Sequence, residues 1–132
     1  GVDMTSLVLD PNTRVTIENG QPIDTFKLWM KYESRTFDTV LNLNRFGRYS
    51  STNGYEKIDF SALWTVDLEL TWHLLKNVNL TVGGENIFDT MPDTWGQTSD
   101  SIIGAGKIIP YSQYSPIGYN GSYYYTRLGI TF

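Results

Sequence analysis

From Ala62 to Leu74 the even positions read Ala62, Trp64, Val66, Leu68, Leu70, Trp72 and Leu74, while the odd ones include Thr65, Asp67, Glu69, Thr71 and His73. A helix would scatter these carboxylates and tryptophans around its circumference, so the period of two predicts a strand with one apolar and one polar face. Thirteen residues is long for a soluble strand, which averages about 5 to 6 residues, but suits a tilted membrane strand of about 9 to 11 with some overhang.

The pattern repeats along the chain. Val78, Leu80 and Val82 oppose Asn79, Thr81 and Glu85, and Lys76 and Asn77 leave room only for a tight turn after the previous run, which predicts an antiparallel hairpin. Gly83 and Gly84 mark a bulge or a close backbone approach, and the phase slips near Ile87. Upstream, Phe26, Leu28, Met30 and Tyr32 alternate with Lys27, Trp29, Lys31 and Glu33. After a short turn at Ser34 and Arg35, Phe37, Thr39, Leu41 and Leu43 alternate with Asp38, Asn42 and Asn44. The last run sets Tyr124, Thr126, Leu128, Ile130 and Phe132 against Tyr123, Tyr125, Arg127 and Thr131.

The connections differ in kind. Arg48 to Asp59 reads as a polar link, and the first two dozen residues read as a loop with a minor hairpin around Val15 and Ile17. Residues 90–121 form the longest connection, rich in Pro, Gly, Tyr, Ser, Asp and Asn, and structureless loops beyond about 12 to 15 residues are usually functional. Antiparallel order would put the turns near Ser34 and Asn77 at one end with Phe132, and every long loop at the other. Outer-membrane barrels sort their turns and loops in this way. The expected fold is all-β, an antiparallel meander of about five strands; since single-chain barrels start at about 8 strands, the chain is expected to be a fragment of a larger barrel.

Composition narrows the chemistry. With 10 basic and 14 acidic residues the net charge is -4, and no basic cluster tracks phosphates, so nucleic acid is not an expected partner. The absence of cysteine removes disulfides, thiolate metal sites and cysteine nucleophiles, and one histidine leaves a His-based metal site short of ligands. No run approaches the roughly 18 apolar residues of a membrane helix.

The run NVNLTVGGENIFDTMP from Asn77 to Pro92 is similar to the penultimate-strand signature of TonB-dependent outer-membrane receptors, with Asn86, Ile87, Phe88 and Asp89 carrying the match. YSPIGYNGSYYYTRLGITF, from Tyr114 to Phe132, resembles that family's closing segment, and Thr65-Val66-Asp67-Leu68 resembles the start of the strand before them. Ser122 follows Gly121 where the family more often has Arg. The resemblance spans about the last half of the chain. It implies a plugged barrel of about 22 strands, with residues 1–132 its C-terminal part, located in the bacterial outer membrane. The implied partners are outer-membrane lipid, TonB acting through a plug outside this sequence, the barrel assembly machinery, and a scarce ligand such as a ferric siderophore, cobalamin or a glycan.

Within that frame, Tyr124, Leu128, Ile130 and Phe132 resemble the assembly signal of outer-membrane barrels, and equally form an apolar stripe that lipid alone would demand. Trp64, Trp72, Tyr32 and Tyr124 fit interfacial girdles or, in a soluble protein, a buried core. Trp95, Tyr111, Tyr114 and Tyr119 offer broad aromatic faces with polar edges for a ligand, or pack the loop onto the rim. His73 shares a face with Glu69 and Asp67, most simply as solvated residues rather than a metal site. Asp89, Asp93 and Asp100 lack the spacing of a calcium loop. Gly104-Ala105-Gly106-Lys107 ends like a phosphate loop, but Ser101 and Ile108 stand where that motif needs Gly and Ser or Thr. No Gly-x-Ser-x-Gly elbow is present, and neither enzymatic activity nor a cofactor is expected. The alternative is a small soluble barrel of the lipocalin or fatty-acid-binding type, which would turn its apolar faces inward onto a ligand.

Overall fold

The computed structural model describes Arg14 and residues 17–52, 57–95 and 109–132. Strand accounts for 58% of it and helix for 4%, which makes the chain all-β. The strands are β1 (Thr25–Glu33), β2 (Phe37–Phe46), β3 (Tyr49–Thr52), β4 (Lys57–Phe60), β5 (Leu63–Leu75), β6 (Val78–Glu85) and β7 (Tyr123–Ile130). They divide between two compact units.

One unit comprises Phe26–Arg45, Trp64–Thr90 and Asn120–Phe132. It is a five-stranded antiparallel sheet in the order β1-β2-β5-β6-β7, the expected meander. Its register fixes both faces. Leu68 pairs with Gly84, Leu70 with Val82 and Trp72 with Leu80, and these continue to Tyr124, Thr126 and Leu128 on β7. The alternate row pairs Glu69 with Gly83, Thr71 with Thr81 and His73 with Asn79, continuing to Tyr125, Arg127 and Gly129. Because side chains alternate across a pleated sheet, one face is apolar and the other polar on every strand. The short turns lie together at one end: the His73 N–H donates to Thr36 O at 2.8 Å and the Thr131 N–H to Asn77 O at 2.9 Å.

Gly83 and Gly84 keep an unbroken register with both neighbours; the irregularity lies instead between His73 and Leu75, beside the turn. The glycines make room for tyrosines. A Cβ on Gly83 would collide with Cζ and the hydroxyl oxygen of Tyr125, and one on Gly84 would come within 2.8 Å of both Tyr124 and Ile87. Two consecutive glycines thus let two consecutive tyrosines approach β6 closely from opposite faces, the aromatic cover that glycine in a strand otherwise lacks.

The other unit comprises Gly1–Thr25, Phe46–Leu63 and Met91–Tyr119. Here the stretch expected to be a polar link contains the β3-β4 hairpin, with Tyr49 paired to Phe60 and Ser51 to Ile58. Each strand has only four residues, too few for alternation to stand out from the polar residues around them. Near the N-terminus, the loop with a minor hairpin is also corrected: Arg14 and residues 17–19 are helical, held by an Arg14–Glu18 pair at 2.8 Å one helical turn apart. Val15 lies outside the described residues. The buried apolar residues Tyr49, Phe60, Leu63 and Trp95 all belong to this unit. Tyr49 and Phe60 stack at 4.7 Å, and Trp95 meets Phe60 edge-on at 5.4 Å.

Candidate functional site

The sheet buries polar side chains and exposes apolar ones. Thr65 and Thr81 on its polar face are 6% and 5% exposed, whereas Leu70, Trp72 and Leu128 on the apolar face are 46%, 57% and 59% exposed. The inversion begins in the sequence alternation, which places every Asp, Glu and His of β5 on the same side.

Cross-strand networks organise the polar face. The His73 ring lies 2.9 Å from Asn79 Oδ1 on β6 and 3.0 Å from Asp38 Oδ2 on β2, so the lone histidine ties three strands together. Glu69 Oε2 accepts from the Tyr125 hydroxyl at 2.6 Å and from Arg127 at 3.2 Å. Thr71 and Thr81 join their hydroxyls at 2.9 Å. A cavity of about 170 Å³ lies on this face, lined by Asn42, Asp67, Glu69, Glu85 and Tyr125 among others. Such a surface suits water or a polar partner. Among the described residues no group of three or more His, Cys, Asp or Glu side chains could hold a metal.

The Asn-Ile-Phe-Asp run has a structural function that the sequence alone leaves hidden. Asn86 and Asp89 both adopt left-handed backbone, at φ 50° and 54°, a region that asparagine and aspartate tolerate better than other side chains. The Asn86 amide group donates to Thr90 O at 2.8 Å and accepts from the Thr90 N–H at 3.0 Å, closing the turn like an extra strand pair. Asp67 Oδ1 accepts the Asn86 N–H at 2.9 Å, and its Oδ2 accepts from Asn44 at 3.2 Å. Asp89 Oδ1 takes the Ser122 N–H at 2.8 Å, so the run clasps both ends of the long connection. Ile87 is bound at both backbone groups, by Val66 O at 2.9 Å and the Tyr124 hydroxyl at 2.8 Å. Phe88 is left 73% exposed.

The four aromatic ligand candidates separate. Trp95 is 2% exposed, with its Nε1 donated to Tyr111 O at 2.8 Å, so it is a core residue with no face free for a ligand. Burial this deep needs the β3-β4 hairpin as a packing partner, which alternation did not reveal. Tyr111 stacks on Tyr119 at 6.2 Å with the rings 10° from parallel. Tyr114 and Tyr119 remain 40% and 42% exposed. Tyr49, not singled out in the sequence, is raised above the ordinary tyrosine pKa, first by burial. Asp93 is occupied by the Ser61 N–H at 2.7 Å; Asp100 and Gly104 to Lys107 lie outside the described residues.

On the apolar face the terminal candidates Tyr124, Leu128 and Ile130 are exposed, and so is Phe132 beyond the end of β7. Tyr32, in ring contact with Phe37 at 5.7 Å, and Trp72 lie toward the short-turn end, while Trp64 and Tyr124 lie toward the opposite end. Aliphatic side chains such as Leu68, Leu70, Val82 and Leu128 fill the space between. In comparisons with known proteins, no family model and no curated sequence matches the chain.

Proposed function

We propose that the chain is the C-terminal barrel segment of a TonB-dependent outer-membrane receptor, which draws a scarce small-molecule or glycan ligand into the cell without covalent chemistry of its own. The observation carrying this reading is the inverted polarity of the five-stranded sheet, with networked polar residues on one face and exposed apolar residues on the other. A barrel wall in lipid needs this arrangement, because its outside meets hydrocarbon while its lumen holds water and a plug.

Dimensions support it. Trp64 and Trp72 lie eight residues apart on one strand, or roughly 26 Å at about 3.3 Å per residue. A tilt of about 40° projects this onto about 20 Å, and the length of the rings brings the two rows near the edges of an apolar band of about 25 Å. The resemblance of the Asn86 to Asp89 run and of the closing segment supplies the family. In this reading Tyr111, Tyr114 and Tyr119 offer the ligand surface.

Fractionating cells that make the intact protein tests the proposal. Recovery in the outer membrane, release only by detergent, and ligand uptake that ceases when TonB is removed are expected. A monodisperse ligand-binding monomer in plain buffer would overturn it and favour the soluble barrel.

A further inference from the structure

The cavity of about 170 Å³ on the polar face is lined by Asn42, Asp67, Glu69, Glu85 and Tyr125 among others. Tyr123 stands beside these residues, paired in register with Glu85, and its ring centroid lies 6.0 Å from that of Tyr125 with the two planes 28° apart. It is 61% exposed. All six side chains belong to the five-stranded unit. They gather away from the short turns, since Glu85 and Tyr123 close the β6-β7 pairing at the end opposite Val78 and Ile130.

The lining specifies what could fill the cavity. Ionised carboxylates only accept hydrogen bonds, so the occupant must be rich in donors. Both oxygens of Asp67 are taken, by the Asn86 N–H and by Asn44, and Glu69 Oε2 is taken by Tyr125 and Arg127. Glu69 Oε1, the Glu85 carboxylate and the Asn42 amide have no hydrogen-bond partner among the described residues. A ligand bearing carboxylate or phosphate would meet the like charge of Glu85. An ammonium is held best by ring faces that enclose it, whereas Tyr123 and Tyr125 form a near-parallel pair and not a cage. Such a pair suits a flat, neutral ring whose polarised C–H groups meet the negative face of the π-system while hydroxyls at its rim donate to the carboxylates. A pyranose has this build.

We propose that Tyr123, Tyr125, Glu69, Glu85 and Asn42 form a binding subsite for one neutral sugar ring of a glycan. The subsite rests on the receptor reading for its place on a lumen wall, and deepens it by selecting the glycan among the ligands. Its size fits, because drug-sized ligands fill about 300 to 1,000 Å³; the smaller cavity takes a single ring while the rest of the glycan runs past the exposed Tyr123. Much of the geometry is set in advance. Glu69 holds the Tyr125 hydroxyl at 2.6 Å and is itself held by Arg127 at 3.2 Å, so ring and acceptor lose little freedom when the sugar arrives.

Calorimetric titration of the intact protein, in a detergent without a sugar headgroup, tests the subsite. The probes are neutral oligosaccharides of glucose, galactose, mannose and xylose, with choline and a uronic-acid oligosaccharide as charged controls. At least one neutral oligosaccharide should bind, and neither control should. Tyr123→Phe keeps the ring and should leave the affinity unchanged, whereas Tyr123→Leu, apolar but without a π face, should lower it by about three- to tenfold. Glu85→Gln should weaken binding by a similar factor, since an ionised acceptor makes the stronger hydrogen bond. Thr126→Ser, on the apolar face of β7, should change nothing. Failure of every neutral oligosaccharide to bind the unsubstituted protein overturns the subsite and needs no variant to fold; it leaves the outer-membrane fractionation result untouched, so the two failures are told apart. Binding that keeps its full strength in both Tyr123→Leu and Glu85→Gln places the glycan elsewhere and overturns the subsite too. So does preferential binding of choline or of the uronic-acid oligosaccharide.

Discussion

Tyr125 and Glu69 hydrogen-bond at 2.6 Å although β6 runs between their strands. The contact exists because Gly83, the residue between them in register, has no side chain, so the phenol can occupy the space a Cβ would fill and reach Glu69. A glycine that looks like a weak point in a strand thereby becomes the means by which β5 and β7 are joined.

Gly83→Val should therefore destabilise the sheet more than Tyr125→Phe. Tyr125→Phe removes one hydrogen bond to a carboxylate, worth about 1.5 to 3 kcal/mol, whereas the valine forces the ring away, loses the same bond and adds about 1 to 3 kcal/mol through overpacking. Urea unfolding measures both. Equal losses would mean that the Tyr125 ring does not depend on Gly83 for its place.

The turn after β6 gives a different ordering. Asn86→Gly keeps a residue at ease with φ 50° but loses both Thr90 bonds and so should cost about 2 kcal/mol. Asn86→Ala loses the same bonds and adds about 1 to 2 kcal/mol of left-handed strain. Asp89→Asn keeps the oxygen that accepts the Ser122 N–H and should be the mildest of the three. Hydrogen exchange at Ser122 and Thr90 checks the ranking; faster exchange in Asp89→Asn than in Asn86→Ala would contradict it.

These contacts mark the limit of what the sequence made legible. Alternation alone placed Trp64, Leu68 and Leu70 on one face and Asp67 and Glu69 on the other, because period two is a property of each strand by itself. It could not pair His73 with Asp38, 35 residues away, since that register depends on the connection between β2 and β5, where the short β3-β4 hairpin went unnoticed. The burial of Trp95 against Phe60 was hidden for the same reason. The Asn86 to Asp89 run was visible as a motif, but its function as a clasp depends on backbone angles that residue types only hint at.

Asp59 supplies a pH-dependent test away from the five-stranded sheet. Ser50 donates to it at 2.7 Å and Lys57 lies 3.7 Å away, and these two, in that order, hold its carboxyl below the ordinary value of 3.8. A depressed folded-state pKa stabilises the fold above the ordinary carboxylate range, and the contribution is lost as pH falls through the lowered value. Ser50→Ala should move the Asp59 titration upward, and its effect on stability should vanish in acid below both values. A titration followed by carbon NMR that leaves Asp59 in place would show that Ser50 does not set it.

Depth within the apolar face should be readable as energy. Leu68 lies midway between Trp64 and Trp72, so if the proposed membrane reading holds, Leu68→Arg should cost about 2 to 4 kcal/mol of folding stability in lipid, while Leu74→Arg, beyond the second tryptophan, should cost about 0 to 1 kcal/mol. Folding titrations in lipid vesicles give both numbers. Equal penalties at the two positions would remove the basis for placing bilayer edges at the tryptophans.

Phe132 separates assembly from stability. Its side chain is fully exposed, and it lies beyond the last strand, although the Thr131 N–H still pairs with Asn77 O. With no protein packing against it, replacing Phe132 and Ile130 by Ser removes apolar area that only lipid would cover, worth about 25 cal/mol per Å². The matching pair Leu68 and Leu70 loses comparable area from the middle of the same face. If the proposed outer-membrane reading holds and the terminal pair acts as an assembly signal, the amount of protein inserted in the outer membrane should fall further for Phe132→Ser with Ile130→Ser than for Leu68→Ser with Leu70→Ser, while refolding in detergent suffers more from the internal pair. The milder changes Thr126→Ser and Thr131→Ser should do neither. Should both apolar pairs lower the inserted amount in proportion to their detergent stability, Phe132 is a lipid-facing residue and nothing more.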